Sequence, residues 1–215
     1  MPVFLIVNPK GGVGKSTVAT NLAGWCARQG HATMLGDLDR QQSSHAWLQL
    51  RPAAAPRIQS WAVDAYHVAR PPKGVSHVVV DTPAAIDKLL LKEALKVADR
   101  VIVPLQASLF DIYATQAFLE KLRDKGVLKD GSDRVGVLGV RVDARTRAAE
   151  QLHRFVDGLG LPVLGYLRDT QNYVQLAAHG LSLWDVTPGR VEKDLAQWQG
   201  IIDWIEGRGV ARQGA

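Results

Sequence analysis

Short runs of apolar residues recur along the chain, and apolar side chains in between repeat every three or four positions. Short runs with few polar residues are typical of strands that are buried on both faces of a sheet. They occupy residues 3–7, 33–38, 78–80, 101–105, 135–142 and 163–167. The pattern therefore predicts strands that alternate with helices.

The segments between these runs have helical periodicity. Apolar residues four apart follow the first run, and similar spacing occupies residues 86–97, 111–125 and 147–158. Near the end of the chain one apolar stripe is formed by Val191, Leu195, Trp198, Ile202 and Ile205. Its alternating spacing of four and three predicts a single amphipathic helix.

Alternating strands and helices imply right-handed crossovers, and so a mostly parallel, twisted sheet with helices on both faces. No linker rich in proline, serine or glycine divides the chain, so we expect one α/β domain over residues 1–207. Residues 208–215 have no apolar pattern, and we expect a disordered tail there. Ligands of such folds bind at the carboxyl ends of the strands.

The first predicted strand runs directly into the glycine-rich sequence NPKGGVGKST at residues 8–17. Glycines let the backbone approach a phosphate closely, and a following helix directs its amide groups at the anion. In such a loop Lys15 reaches the β- and γ-phosphates, and the Ser16 hydroxyl binds Mg²⁺. Thr17 can donate to the α-phosphate. The sequence therefore predicts a nucleoside triphosphate site here.

The loop departs from the standard phosphate-binding pattern, because Pro9 stands where that pattern has its first glycine. Lys10-Gly11-Gly12-Val13-Gly14-Lys15-Ser16 instead resembles the deviant Walker A motif of the ParA/MinD family of ATPases, and the short ParA-type partition ATPases look closest. The resemblance extends over residues 3–206. It implies a P-loop NTPase fold, ATP and Mg²⁺ as cofactors, and catalytic roles for both lysines. Lys10, the family's signature residue, would reach the partner's nucleotide in an ATP-bound homodimer.

Carboxylates follow two of the other predicted strands. Asp37 and Asp39 lie in LGDLDRQQSS, which resembles the family pattern Asp-x-Asp-Pro-Gln, with Arg40 in place of proline. The resemblance implies that Asp39 positions the attacking water near Mg²⁺, whereas Asp37 supports Mg²⁺ or Lys15. We expect the two to have separate roles.

The sequence HVVVDTPA has the Walker B pattern, a buried strand that ends in a carboxylate. We expect Asp81 to hold a water molecule of the Mg²⁺ shell. Thr82 and Pro83 begin the second switch, and Ala84 replaces the proline or glycine that is usual in the family.

The sequence gives little indication of the base pocket. By resemblance the base lies near the ends of the strands that close at Val142 and Leu167, which makes Arg141 and Arg168 candidates for contacting it. No guanine-reading Asn-Lys-x-Asp motif is visible. We therefore expect ATP as the nucleotide.

A formal net charge of +5 is compatible with a polyanionic partner. ParA-type proteins bind DNA nonspecifically through basic residues that an ATP-bound dimer brings together. The candidates here are Arg145, Arg147, Arg154, Arg190 and Lys193. Contacts of this kind go to phosphates and do not read sequence. A solvated helix face is the alternative interpretation of these residues.

The resemblance implies an ATP-switched ATPase that positions or segregates a plasmid, chromosome or protein cluster. A ParB-like protein or cargo adaptor would stimulate its slow hydrolysis. We expect a cytoplasmic, nucleoid-associated protein without stable membrane binding. A MinD-like membrane ATPase and a nucleotide-gated scaffold with negligible hydrolysis remain as alternatives. A metal-cluster protein is excluded, because Cys26 is the single cysteine.

Overall fold

A computed structural model describes residues 1–61, 73–128 and 133–208. Within these ranges seven strands form one sheet, and every neighbouring pair is parallel. The strands are β1 (Val3–Ile6), β2 (Thr33–Asp37), β3 (Ile58–Trp61), β4 (His77–Asp81), β5 (Arg100–Leu105), β6 (Val135–Val140) and β7 (Val163–Leu167). Their order is β3-β2-β4-β1-β5-β6-β7. The predicted parallel α/β sheet is confirmed.

Helices cover both faces of the sheet. They are α1 (Lys15–Arg28), α2 (Ser43–Gln49), α3 (Lys88–Val97), α4 (Leu109–Asp124), α5 (Arg147–Asp157), α6 (Gln171–Ala177), α7 (Pro188–Gln197) and α8 (Gln199–Ile205). Successive residues of β1 point to opposite faces: Leu5 packs in the core under α3, α4 and α5, and Phe4 packs in the core under the other helices. This arrangement leaves the carboxyl edge of the sheet for the loops that carry the predicted motifs.

Three short elements were not predicted. β3 is an edge strand whose two middle residues are exposed, so it lacks a continuous apolar run. In α2 the buried residues are Ser44 and Trp47, and in α6 Leu176 is the one buried residue. Two turns with so few buried positions produce no helical period.

The prediction of one helix over the C-terminal stripe is wrong. The structure has two helices, α7 and α8, which meet at the fully buried Trp198. The indole of Trp198 donates to the Tyr173 hydroxyl at 3.0 Å and packs edge-on against Trp184. A Cβ on Gly200 would lie 2.5 Å from the carbonyl oxygen of Leu164, so α8 approaches the backbone of β7 directly.

Two further expectations concern the end of the chain and membranes. Arg208 is the last described residue, so nearly all of the expected tail at 208–215 lies outside the described ranges. The domain limit at residue 207 therefore stays a prediction. None of the helices within the described ranges has both the length and the apolar character that a membrane span requires.

Candidate nucleotide-binding site

The turn between β1 and α1 requires glycine at two positions. Gly12 and Gly14 have φ values of 77° and 82°, in the left-handed region that side chains disfavour. A Cβ on Gly14 would also lie 2.9 Å from Cγ1 of Val140, so the turn packs against the end of β6. Val13 is fully buried and anchors the turn in the core. The loop is thereby fixed across the carboxyl edge of the sheet.

The amino terminus of α1 is suited to bind an anion. No side chain caps this 14-residue helix at its start, and its first turn contains no acidic residue. The first amide groups of a helix have no partner inside the helix and lie at the positive end of its dipole. Ser16 and Thr17, both half-buried, lie in this first turn. The geometry fits the predicted phosphate cradle.

Lys15 lies inside the loop. Its side chain is buried, and its ammonium group donates to the carbonyl oxygen of Lys10 at 2.8 Å. Burial lowers the pKa of this ammonium, while the nearby carboxylates of Asp81 and Asp39 act in the opposite direction. A cation that is partly desolvated and aimed along the loop interacts strongly with a phosphate.

A cavity of about 250 Å³ joins the loop to both switches. It is lined by Gly11, Gly12, Gly14, Lys15, Ser16, Thr17, Asp39, Thr82, Ala84 and Arg141. Motifs that are far apart in the sequence thus meet at one point. A larger cavity of about 410 Å³ lies at the opposite edge of the sheet, between the ends of α3 and α4, and contains none of these residues.

Asp81 ends β4 and is almost completely buried. Its Oδ2 accepts a hydrogen bond from the Ser44 hydroxyl at 2.6 Å, whereas its Oδ1 has no hydrogen-bond partner among the described residues. Burial raises the pKa of this carboxyl to about 6; the Asp37 carboxylate adds to the shift, and the hydroxyls of Ser16 and Ser44 and the Lys15 ammonium offset it in part. An unpartnered buried oxygen is costly unless a further ligand satisfies it.

These residues fit a magnesium ion. Ser16 and Asp81 supply a hydroxyl and a free carboxylate oxygen, and Mg²⁺ in nucleotide sites uses one or two protein ligands together with waters and phosphates. Within the described ranges no three His, Cys, Asp or Glu side chains are grouped so that they could hold a metal alone. Phosphates and waters would supply the remaining ligands of such a cation.

Asp37 and Asp39 have different surroundings. Both oxygens of Asp37 accept from backbone amides, Oδ1 from Asp39 at 2.9 Å and Oδ2 from Ser44 and His45 at 2.8 and 3.1 Å. Asp37 thus shapes the first switch and the start of α2, and its assignment to Mg²⁺ stays a prediction. Asp39 is half-buried and lines the cavity, as its predicted role near the attacking water requires.

The ammonium group of Lys10 is not directed into its own cavity. It lies 3.6 Å from Oδ1 of Asp111 in the first turn of α4, and 41% of the Lys10 side chain is exposed. Lys10 contributes its carbonyl oxygen, rather than its charge, to the site on its own chain. The charge is therefore accessible from outside the protomer.

The two arginines expected near the base differ in position. Arg141 has a left-handed φ of 56°, lines the cavity and places Nη1 3.4 Å from the carbonyl oxygen of Gly12. That carbonyl also accepts from the Gln106 amide at 2.8 Å. Nε of Arg168 is instead 2.5 Å from Oδ1 of the fully buried Asp194. Its contact with the base stays a prediction, although its guanidinium is engaged elsewhere.

The expected DNA-binding residues do not form one continuous helix face. Arg147 and Arg154 lie on α5, whereas Arg190 and Lys193 lie on α7, which packs on the other face of the sheet. All are exposed, as is Arg145 in the preceding loop.

Several of these cations already have neighbours. Arg145 forms a two-pronged ion pair with Asp143, at 2.9 and 3.0 Å, and lowers the pKa of that carboxyl to about 2. Arg154 lies 3.7 Å from Glu150, and Arg190 donates to the side chain of Gln175. Two of the five cations are thus paired with carboxylates, and a third is hydrogen-bonded to a neutral amide.

Sequence reasoning did not single out Ser44, Gln106 or Asp111 as parts of this site. Ser44 carries one usable signal, because it precedes the buried Trp47 by three residues and so shares its helix face. Gln106 and Asp111 are separated from the loop by about a hundred residues, and the topology alone places β5 beside β1.

Comparison with known proteins agrees with this geometry. Residues 4–183 match the family model described as the CobQ/CobB/MinD/ParA nucleotide binding domain. The chain is 32% identical over 185 residues to the maintenance of carboxysome distribution protein A of Gloeobacter kilaueensis, covering 84% of this chain and 83% of that protein. It is 28% identical over 180 residues to the chromosome-partitioning ATPase Soj of Thermus thermophilus, covering 68% and 72%.

A solved structure has the same fold. A protein assigned to plasmid partition in Borrelia burgdorferi B31, bound to AMPPNP, superposes with a TM-score of 0.76. The match covers 97% of this chain and 99% of that one at 16% sequence identity, which supports the fold alone.

Proposed function

Because this chain belongs to the CobQ/CobB/MinD/ParA nucleotide-binding domain family, we propose that it is an ATP-dependent positioning ATPase. It dimerises on ATP and binds DNA without sequence preference. It distributes or segregates a cargo, and an activating partner stimulates its slow hydrolysis. Two relatives are named for carboxysome distribution and for chromosome partitioning, which supports a cargo of this kind.

The observation that carries the proposal is the cavity in which Lys15, Asp39 and Thr82 meet the uncapped start of α1. Amide groups there bind the phosphates, and Lys15 neutralises their charge. Mg²⁺ held by Ser16 and, through water, by Asp81 would stabilise charge on the phosphate that is transferred. Arg141 closes the side of the cavity next to the end of β6.

The proposed hydrolysis of ATP to ADP and phosphate uses residues of this chain. Asp39 would orient a water molecule at the γ-phosphate, a role that its position in the lining of the cavity supports. Hydrolysis breaks the bond between the β- and γ-phosphates, and the water supplies the new oxygen of the released phosphate. A half-exposed switch without its family proline is consistent with a slow rate until a partner orders it.

Dimerisation completes the site. The Lys10 ammonium lies against Asp111, outside its own cavity, and is accessible to a second protomer. A cation supplied across an interface stabilises the transition state of phosphoryl transfer, as an arginine finger does. We propose that each protomer supplies Lys10 to the nucleotide of its partner. The dimer would then present basic residues of both protomers to DNA. A protein that binds DNA in this way would be cytoplasmic and associated with the nucleoid.

The experiment is binding of the full chain to nonspecific duplex DNA, without nucleotide, with ADP, with ATP, and with ATP plus Asp39→Ala, at two salt concentrations. We expect the chain to bind DNA only when ATP is present. This binding should persist in Asp39→Ala and become weaker at the higher salt concentration. Absence of DNA binding in every nucleotide state would refute the DNA part of the proposal and favour a membrane or scaffold role.

A further inference from the structure

Ser44 connects the two carboxylates that follow β2 and β4. Its hydroxyl donates to Oδ2 of Asp81 at 2.6 Å, and its amide donates to Oδ2 of Asp37 at 2.8 Å. Ser44 is fully buried, and Asp81 is 1% exposed. The contact joins the first turn of α2, directly after the first switch, to the Walker B strand.

We propose that Ser44 is a positioning residue for the magnesium site, which holds Asp81 so that one carboxylate oxygen stays available to the hydrated cation. This role rests on the proposed function, since the cation arrives with the nucleotide. It goes beyond the resemblance described above, in which the assigned residues are the loop lysines and the aspartates.

The hydrogen bonds of Asp81 explain why a hydroxyl is needed there. A carboxylate has two oxygens, and Ser44 satisfies Oδ2 while Oδ1 stays unpartnered. Hydrogen bonds to charged groups are short and strong, and they fix the plane of the acceptor. Without the Ser44 hydroxyl, Oδ2 would lose its hydrogen-bond donor, and the Ser16 hydroxyl would be the remaining nearby donor that acts on this carboxyl. Substitution of a residue that orients a metal ligand commonly weakens metal binding by about 10- to 100-fold.

The same contact makes the magnesium site sensitive to the first switch. α2 begins after Gln42, which has a left-handed φ of 53°, and Asp37 caps its first amides. Any shift of the first turn of α2 would therefore move the Ser44 hydroxyl relative to Asp81.

The test compares Ser44→Ala with Ser43→Ala in the full chain, because Ser43 is exposed at the start of the same helix. The readout is affinity for a fluorescent ATP analogue, titrated with Mg²⁺ and repeated in EDTA. For Ser44→Ala we expect the Mg²⁺ concentration at half-effect to rise about tenfold, with affinity in EDTA unchanged. Ser43→Ala should match the wild type in both.

Two further variants separate positioning from packing. Ser44→Cys keeps the shape but has a weak donor, so it should reproduce most of the Mg²⁺ effect even if Ser44→Ala folds poorly. In an Asp81→Asn background, Ser44→Ala should add no further change in Mg²⁺ dependence, because the carboxylate that it orients is gone.

The inference is overturned if both Ser44 variants keep the wild-type Mg²⁺ dependence. It is also overturned if their affinity falls by the same factor in EDTA, because that pattern indicates a general packing defect. If the wild-type chain binds the analogue and the Ser44 variants bind it with the same Mg²⁺ dependence, the positioning role of Ser44 is refuted and the proposed function is not. A wild-type chain that does not bind the analogue refutes the proposed function.

Discussion

The ammonium group of Lys10 and the carboxylate of Asp111 lie 3.6 Å apart on one protomer. Asp111 is largely buried in the first turn of α4, and Lys10 is partly exposed at the edge of the phosphate loop. The pair holds the signature lysine away from its own cavity. In the proposed dimer Lys10 would leave this ion pair to enter the partner's site, so the contact would oppose dimerisation.

Asp111→Asn is expected to strengthen ATP-dependent dimerisation, because Lys10 then has no ion pair to break. A partly exposed pair contributes about 0.2–1 kcal/mol, and one pair breaks on each protomer, so the dimer dissociation constant should change by about 2- to 30-fold. Sedimentation of the ATP-bound chain measures it. Asp124→Asn removes the same charge from an exposed position at the end of α4 and should have no effect. Weaker dimerisation of Asp111→Asn would show instead that Asp111 acts in the dimer.

Asp81 makes the stability of the nucleotide-free chain depend on pH. Its folded pKa, raised to about 6 from 3.8, means that the folded state binds the proton more tightly than the unfolded state does. The contribution of Asp81 to the free energy of unfolding is therefore most favourable below about pH 4, where the carboxyl is protonated in both states, and is lost as the pH rises through 6. Asp81→Asn should raise the melting temperature at pH 8 more than at pH 5, measured in EDTA. An equal change at both pH values would contradict the buried, charged state of Asp81.

Substitution of Arg141 should weaken nucleotide binding, whereas substitution of Arg168 should lower the stability of the fold. Arg141→Ala removes a cation from the cavity, and we expect about tenfold weaker nucleotide binding, or roughly 1.4 kcal/mol. Arg168→Ala leaves the buried Asp194 without its cation, and we expect a loss of about 1–3 kcal/mol in the free energy of unfolding. Nucleotide titration and urea unfolding of both variants measure these effects. The reverse pattern would place Arg168 at the nucleotide.

The basic residues that lack ion pairs within the described ranges should contribute most to DNA binding. Arg147→Ala and Lys193→Ala should each reduce the slope of log affinity against log salt by about 1.8, because the dimer carries two copies of each residue and each copy would contact one phosphate. Asp143→Asn should strengthen DNA binding, because it frees Arg145. Arg123→Ala, an exposed cation on α4, is the control. Unchanged slopes in both test variants would move the DNA site elsewhere.

Much of the fold follows from local patterns in the sequence. A strand such as β4 is a continuous apolar run because both of its faces are buried, and the run ends at the Asp81 carboxylate. Helical spacing likewise located most of α3, α4 and α5, although their ends differ by a few residues. β3 and α2 were not predicted, because an edge strand and a two-turn helix bury too few side chains to produce a periodic apolar pattern.

The remaining features depend on contacts between distant segments. The break at Trp198 lies two residues before Gly200, which contacts the backbone of β7, and no local signal distinguishes the two helices from one continuous stripe. Ser44 differs from Ser43 only in the helix face on which it lies. The glycine loop was identifiable because phosphate binding requires a particular local sequence, whereas Asp111 meets Lys10 only through the order of the strands.

The most direct test of the account is the mass of the chain in solution with ADP and with ATP and Mg²⁺, in the Asp39→Ala background, which we expect to slow hydrolysis. We predict a monomer with ADP and a dimer with ATP. Adding Lys10→Ala should abolish the dimer, whereas adding Lys121→Ala, which removes an exposed lysine on α4, should not. A Lys10→Ala chain that dimerises with ATP as well as its parent would contradict the central claim that each protomer completes the site of the other.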